Sequence, residues 1–340
     1  MNLFDLFAHE HRAKRIDQKD PLLALDELID FKPLVEVVDK TAPRKRSEKG
    51  GRPPYPTEIM LRVIILKRLN NLSNDQMEFM LNDRMSFQRF TKLTHSPNIP
   101  DANTIWVFEE RIGEKTAKAL FEAVERQIRL SGYSARKGQI VDATLVPVPK
   151  QRISSKEKEI TEQKAMPIEW PAHKRAQKDI DASWTSKHGK HYFGYKMGVN
   201  VDVRCKVIRA IDLSTAKEHD IQQLDNLIDM NNTNRDFFAD KGYASQSKEK
   251  MLTDKGLNPR VQHKKAKGKP MGKQLEKRNK TIAKTRSRVE HVFGAMEQMG
   301  GKCIRVIGQQ RANFVMTMMA TVYNLKRFVF LQKSGFRAFG

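Results

Sequence analysis

Three acidic residues stand where carboxylates are costly to place. Asp142 lies inside the apolar run Gln139-Ile-Val-Asp-Ala-Thr-Leu-Val146, and Asp240 closes a second run, Phe237-Phe-Ala-Asp240, ahead of Lys241-Gly-Tyr243. Glu290 sits in Arg286-Ser-Arg-Val-Glu-His291, a stretch of helical character. A carboxylate inside an apolar strand is expensive to bury unless it is paired, hydrogen-bonded or bound to a metal. Mg²⁺ takes hard oxygen ligands and keeps several of its waters, so a few carboxylates suffice to hold it. Two divalent ions about 3.5–4 Å apart can activate a water and neutralise the leaving oxygen of a phosphodiester. The combination points to a divalent-metal site that acts on a polyanion.

Each acid also has a plainer reading. Asp142 can be a strand-end turn former, and Asp240 can open a turn through Asp-Lys-Gly. Glu290 can be half of a surface ion pair with Arg286, four residues earlier on the same helix face. In the functional reading Arg286 orients Glu290 or holds a phosphate. The three acids together carry more weight than any one of them.

Charge supports a polyanionic partner. The 340 residues hold 63 Lys+Arg against 40 Asp+Glu, a net charge of +23 with a pI near 9.9. Lysine and arginine gain affinity for nucleic acid by releasing counterions condensed on phosphates. The only cysteines, Cys205 and Cys303, form no paired spacing, which argues against a disulfide framework or a cysteine zinc site. The start, Met1-Asn-Leu-Phe-Asp-Leu-Phe7, lacks the basic opening of a signal peptide. The longest apolar stretch, Ala312 to Leu325, is interrupted by Asn313, Thr317, Thr321 and Asn324 and is too short to span a bilayer. A cytoplasmic, nucleoid-associated protein with no membrane contact is expected.

The elements that must position these residues follow from period and turn chemistry. Residues 1–50 read as an amphipathic beginning and a basic, Gly/Pro-rich linker, and residues 51–132 as a helical domain. Thr57 is expected to cap a first helix and Ser73-Asn-Asp-Gln76 to form a capping box. Asp101 is expected to cap a third helix. Glu114–Leu130 gives a fourth, with Leu120, Val124 and Ile128 on one face. Such helices suit either a helix-turn-helix reader of DNA or a plain packing domain. From about residue 137 to 332 the period alternates. Strands are expected at 139–146, 192–203, 207–213, 235–240 and 258–262, and helices at 220–230 and 247–255. An irregular excursion is expected over 150–178, a mobile basic loop over 260–280 and a long helix over 275–298. The pattern is a mixed α/β layer.

Aromatic residues interleaved with cations form a second cluster of interest. Trp184, Tyr192, Phe193 and Tyr195 lie among Lys187, His188, Lys190, His191 and Lys196. Aromatic rings can stack on unpaired bases while cations track the phosphates, although alternating strand positions send some of these residues to the core. Arg52 in the basic linker and Lys241 beside Asp240 complete the DNA-contact candidates, with Arg286. The scattered histidines match no zinc spacing.

The chain resembles the insertion-sequence-5 family of bacterial DDE transposases over roughly residues 20–330. The resemblance rests on Gly51-Arg-Pro-Pro-Tyr55, Leu69-Asn-Asn-Leu-Ser73, Asp83-Arg-Met-Ser-Phe-Gln-Arg-Phe90, Pro100-Asp-Ala-Asn-Thr-Ile-Trp106, Ile140-Val-Asp-Ala-Thr144, Lys190-His-Tyr-Phe-Gly-Tyr-Lys196, Ala239-Asp-Lys-Gly-Tyr243 and Arg286-Ser-Arg-Val-Glu-His291. It implies a ribonuclease-H-like mixed-sheet catalytic domain with an N-terminal all-helical DNA-binding domain. It implies Asp142, Asp240 and Glu290 as catalytic and metal-binding residues, with two Mg²⁺ or Mn²⁺ ions as cofactors. The family's fuller signature has a Tyr three residues before the Arg and a Lys seven after the Glu; here those places hold Ala283 and Glu297. The expected activity is binding of an element's terminal inverted repeats, metal-dependent cleavage of its ends and joining of the 3′-hydroxyl to target DNA. The expected partner is double-stranded DNA, bound by a homodimer or larger assembly. Two other readings remain: a former transposase retained as a DNA-binding protein, and a host nuclease of the same fold.

Overall fold

The computed structural model describes residues 14–15, 20–44, 53–151, 154, 157, 159, 166–187, 189–265, 268 and 270–336. These fall into two compact units, one running to Gln127 and including Leu325–Phe336, the other spanning Ile128–Asn324.

The first unit is helical: α1 (Pro21–Leu28), α2 (Lys32–Thr41), α3 (Thr57–Leu69), α4 (Asn74–Asp83), α5 (Met85–Phe90) and most of α6 (Ala102–Leu130). Helix α3 buries Met60, Leu61, Val63, Ile64, Ile65 and Leu66, which cover most of its circumference, as befits a central helix. Even Arg62 on this helix is 2% exposed, and it is matched by Asp26 at 2.6 Å and Glu58 at 2.9 Å. The Ser73 capping box forms as expected, each side chain bonding the other's backbone N–H. Asp101 accepts from Thr104 N–H at 2.6 Å. Thr57 does not cap: its hydroxyl donates to Asp39 at 2.7 Å, and Pro56 occupies the cap position. The expected third and fourth helices are separated at Gly113, whose φ of 54° suits a residue with no Cβ.

The second unit is built on a six-stranded sheet: β1 (Gln139–Pro147), β2 (Ser183–Lys187), β3 (Lys190–Asp202), β4 (Ile208–Thr215), β5 (Asp236–Ala239) and β6 (Asn258–Val261). The long β3 pairs antiparallel with β1 on one edge and with β2 and then β4 on the other. Beyond β1 the sheet turns parallel, with β5 beside β1 and β6 beside β5. This is the ribonuclease-H-like mixed sheet that the resemblance implies. One face carries Val141, Phe237, Ala239 and Val261, packed with Leu224, Leu227, Tyr243, Leu252 and Leu257. The last group comes from a 3₁₀ helix (Asp220–Leu227), a short turn (Lys241–Tyr243), helix α8 (Ala172–Gln177 being α7; Gln246–Asp254 being α8) and the segment after it. Helix α9 (Lys273–Arg286) lies against β5, and α10 (Arg288–Met296) against β1. Helix α11 (Gln309–Lys333) closes the described chain.

Several expectations give way to packing. Strand β2 falls where no strand was expected; it is short and polar, and forms by edge pairing with β3. The helix expected over 220–230 is a 3₁₀ helix, held by the buried Gln223 amide, which donates to Lys196 O and Ser214 Oγ. Of the basic loop expected over 260–280, residues 273–280 instead sit on α9, a run of good helix formers that buries Ile282. The long helix over 275–298 divides at Ser287, whose hydroxyl donates back to Lys284 O at 3.1 Å, a bond that bends helices.

Candidate active site

The parallel ladder aligns Gln139 with Phe237, Ile140 with Phe238 and Val141 with Ala239. One step further along the same register come Asp142 and Asp240. Asp240 keeps an extended backbone at φ −80°, ψ 178°, so it continues the strand direction. Side chains alternate across a strand, and neighbouring strands lie about 4.8 Å apart. The two carboxylates therefore stand side by side, on the face opposite Val141 and Ala239.

Asp142 is buried, with 9% exposure. Its Oδ1 accepts from the N–H of Ala143 at 2.9 Å, and its Oδ2 is ion-paired with Nη1 of Arg286. Burial is the largest influence on its carboxyl and pushes it from 3.8 up to about 6. The Arg286 guanidinium and the Ala143 N–H pull the other way, and the neighbouring Asp240 carboxylate adds to the rise. Asp142 is thus a buried acid beside a like charge, with one cation to offset both.

Asp240 is fixed by the turn that follows it. Its Oδ1 accepts from Gly242 N–H at 2.7 Å. A Cβ at Gly242 would come within 2.9 Å of that oxygen and 3.5 Å of Asp220 Oδ2, so a side chain here would intrude between the two acids. Asp220 is a neighbour that sequence reasoning missed, because it reads as an ordinary helix-start acid after His219. It is ion-paired with Lys196 at 2.7 Å. Tyr243 was also missed. Its hydroxyl is buried and finds no hydrogen-bond partner. Burial, then Asp220, Asp142 and Asp240, push that phenol far up, against the opposing pull of Arg286.

Glu290 lies on α10 and is exposed. Among the described residues, no three His, Cys, Asp or Glu side chains gather closely enough to hold a metal ion. The structure brings Asp142 and Asp240 together and leaves Glu290 outside. Arg286 pairs with Asp142 rather than with Glu290.

The DNA-contact candidates divide. Trp184 is 41% exposed on β2, its ring 5.2 Å from that of Phe193. Lys187 and Lys190 face each other at the exposed end of the β2–β3 hairpin, and Lys241 is exposed beside Asp240. Phe193 and Tyr195 belong to the core. Lys196 is committed to Asp220 and to the Glu218 carbonyl, so it is not displayed as a free cation. Arg52 and His188 lie outside the described residues.

The donor chemistry of the Asp142–Asp240 pair fits a divalent cation. Both are hard oxygen ligands on adjacent strands, and a guanidinium stands where positive charge is required.

Residues 133–325 match the family model described as "Transposase DDE domain", and residues 10–111 match the one described as "Transposase domain (DUF772)". Asp142, Asp240 and Glu290 all fall within the first match. Among solved structures, the chain is similar to the "Cryo-EM structure of piggyBac transposase synaptic complex with hairpin DNA" at 12% identity, covering 94% of this chain and 77% of that one with a TM-score of 0.47. So distant a likeness leaves the fold assignment resting on the sheet order and the family match. No helix among the described residues is long and apolar enough to cross a membrane.

Proposed function

We propose, from the premise that this chain belongs to the transposase DDE-domain family, that it is a DNA transposase of the insertion-sequence-5 kind. In this reading it binds the terminal inverted repeats of its element, cleaves the ends and joins the released 3′-hydroxyl to target DNA. The single observation that carries the chemistry is the side-by-side placement of Asp142 and Asp240 within the matched domain.

Asp142 and Asp240 hold the divalent ions, two Mg²⁺ or Mn²⁺, and Glu290 is the third acid. Bound there, the ions would lower the pKa of a water and neutralise the oxygen that leaves phosphorus. Gly242 keeps Asp240 aimed by its N–H and by the space it leaves. Glu290 reaches the pair only after a rearrangement, and the Ser287 break between α9 and α10 offers the place for one. Trp184, Lys187, Lys190 and Lys241 line the exposed DNA path. The helical unit reads the repeats, with Arg52, which lies in sequence between α2 and α3, as a DNA contact. Two ends must be held at once, so a homodimer or larger assembly forms on DNA.

A substrate panel tests this. With Mg²⁺ the chain should nick a duplex carrying its element's end and leave an RNA–DNA hybrid intact. Preferential cutting of the hybrid would instead identify a host nuclease. Binding of the end without any nicking would identify a retained DNA-binding protein.

A further inference from the structure

Two arginines that ion-pair with carboxylates in this chain, the buried Arg62 and the half-buried Arg286, are built differently. Arg62 meets Asp26 at 2.6 Å, Glu58 at 2.9 Å and the Phe90 carbonyl at 2.9 Å, and its guanidinium lies 3.7 Å from the Phe31 ring centroid. That is an arginine held on every side. Arg286 makes a single contact, from Nη1 to Asp142 Oδ2, and its buried Nε finds no partner. The guanidinium of Arg286 thus engages one acceptor, where that of Arg62 is spread over three.

The acceptor side is equally telling. Both oxygens of Asp142 are engaged, Oδ1 by Ala143 N–H and Oδ2 by Arg286. Asp240 makes no ion pair among the described residues. Arg286 is the cation that holds Asp142 Oδ2, and any other cation that binds Asp142 through that oxygen must first remove it. Arg286 is the last residue of α9, next to the Ser287 break, so its side chain hangs from a helix end.

We propose that Arg286 is a displaceable counter-cation that occupies Asp142 in the metal-free chain and competes with the divalent ion for that carboxylate. The inference rests on the reading of Asp142 as a metal ligand and goes beyond it in assigning Arg286 a role opposed to metal binding. An arginine that merely shapes the site would act with the opposite sign, since its loss would loosen the acids and weaken metal binding.

The test is Mn²⁺ binding to the full chain without DNA, measured by titration calorimetry at about pH 8.5 so that protons compete little. The proteins are the unaltered chain, Arg286→Gln, Arg286→Lys and Asp142→Asn, each checked for folding by circular dichroism. Arg286→Gln should bind Mn²⁺ on the order of tenfold more tightly, the scale expected for losing one charge-assisted hydrogen bond. Arg286→Lys is shorter and lacks the fork, and should fall between. Unchanged or weaker binding by Arg286→Gln, with Asp142→Asn still abolishing it, overturns the counter-cation and leaves the metal-ligand reading standing. Mn²⁺ binding that survives Asp142→Asn at full affinity overturns both. Should Arg286→Gln fail to fold, Arg286→Lys decides by the same sign.

Discussion

Replacing Asp142 with Asn should make the chain more stable at neutral pH, and the size follows from the site. Asp142 is buried beside Asp240, and its carboxyl is raised from 3.8 to about 6 even with Arg286 against it. Each unit of pKa is worth about 1.4 kcal/mol, so ionising Asp142 costs about 3 kcal/mol more in the folded chain than in the unfolded one. A carboxyl raised on folding gives stability that is fully present below about pH 4 and lost as pH climbs through about 6. Asn carries the neutral shape at every pH. The stability difference between Asp142→Asn and the unaltered chain should be flat below about pH 4, grow by up to about 3 kcal/mol by about pH 7, and then level off. Comparing the two proteins cancels the titration of groups that do not interact with Asp142. The assay is urea unfolding of both, followed by circular dichroism at pH steps across that window. A difference that stays constant with pH, or that moves against the variant as pH rises, would refute the buried-carboxylate argument.

Two further perturbations probe the frame around the site. Asp179 is 1% exposed and accepts from Tyr195 OH at 2.9 and 2.8 Å and from the N–H groups of Asp181, Ala182 and Gly308, so Asp179→Ala should cost about 3–5 kcal/mol in thermal or urea unfolding. Tyr195→Phe removes one of these donors and should cost about 1–2 kcal/mol; a larger loss than Asp179→Ala would contradict the network. In the helical unit, Arg62→Met strips the buried partner of Asp26 and Glu58 and should cost about 3 kcal/mol or more, with Arg62→Lys recovering only part of it, as read by the melting temperature.

Local signals in the sequence were legible because they are local. An aspartate in an apolar run marked β1, and another closing a short apolar run marked β5. The Ser73–Gln76 box and the Asp101 cap are written within four residues each, and both form. Thr57 failed as a cap because Asp39, eighteen residues away, is a better partner for its hydroxyl. What the sequence could not display is pairing between distant segments. The placement of Asp142 beside Asp240 arises from the parallel β1–β5 ladder, and Arg286 reaches Asp142 across 144 positions. The helical spacing of Arg286 and Glu290 argued for a local pair, but the two residues fall on different helices and the arginine pairs with Asp142. Asp220 carries no sequence mark of its own, and Tyr243, although it ends the Ala239–Tyr243 motif, shows its place beside the acids only once the turn after β5 is folded against the 3₁₀ helix.

The claim beneath the functional reading is that Asp142 and Asp240 act together on a phosphodiester. The direct measurement is Mg²⁺-dependent nicking of the native element-end duplex by Asp142→Asn and by Asp240→Asn, with DNA binding measured in parallel. Each variant should lose nicking while binding stays near that of the unaltered chain. Nicking that persists in either one would contradict the account.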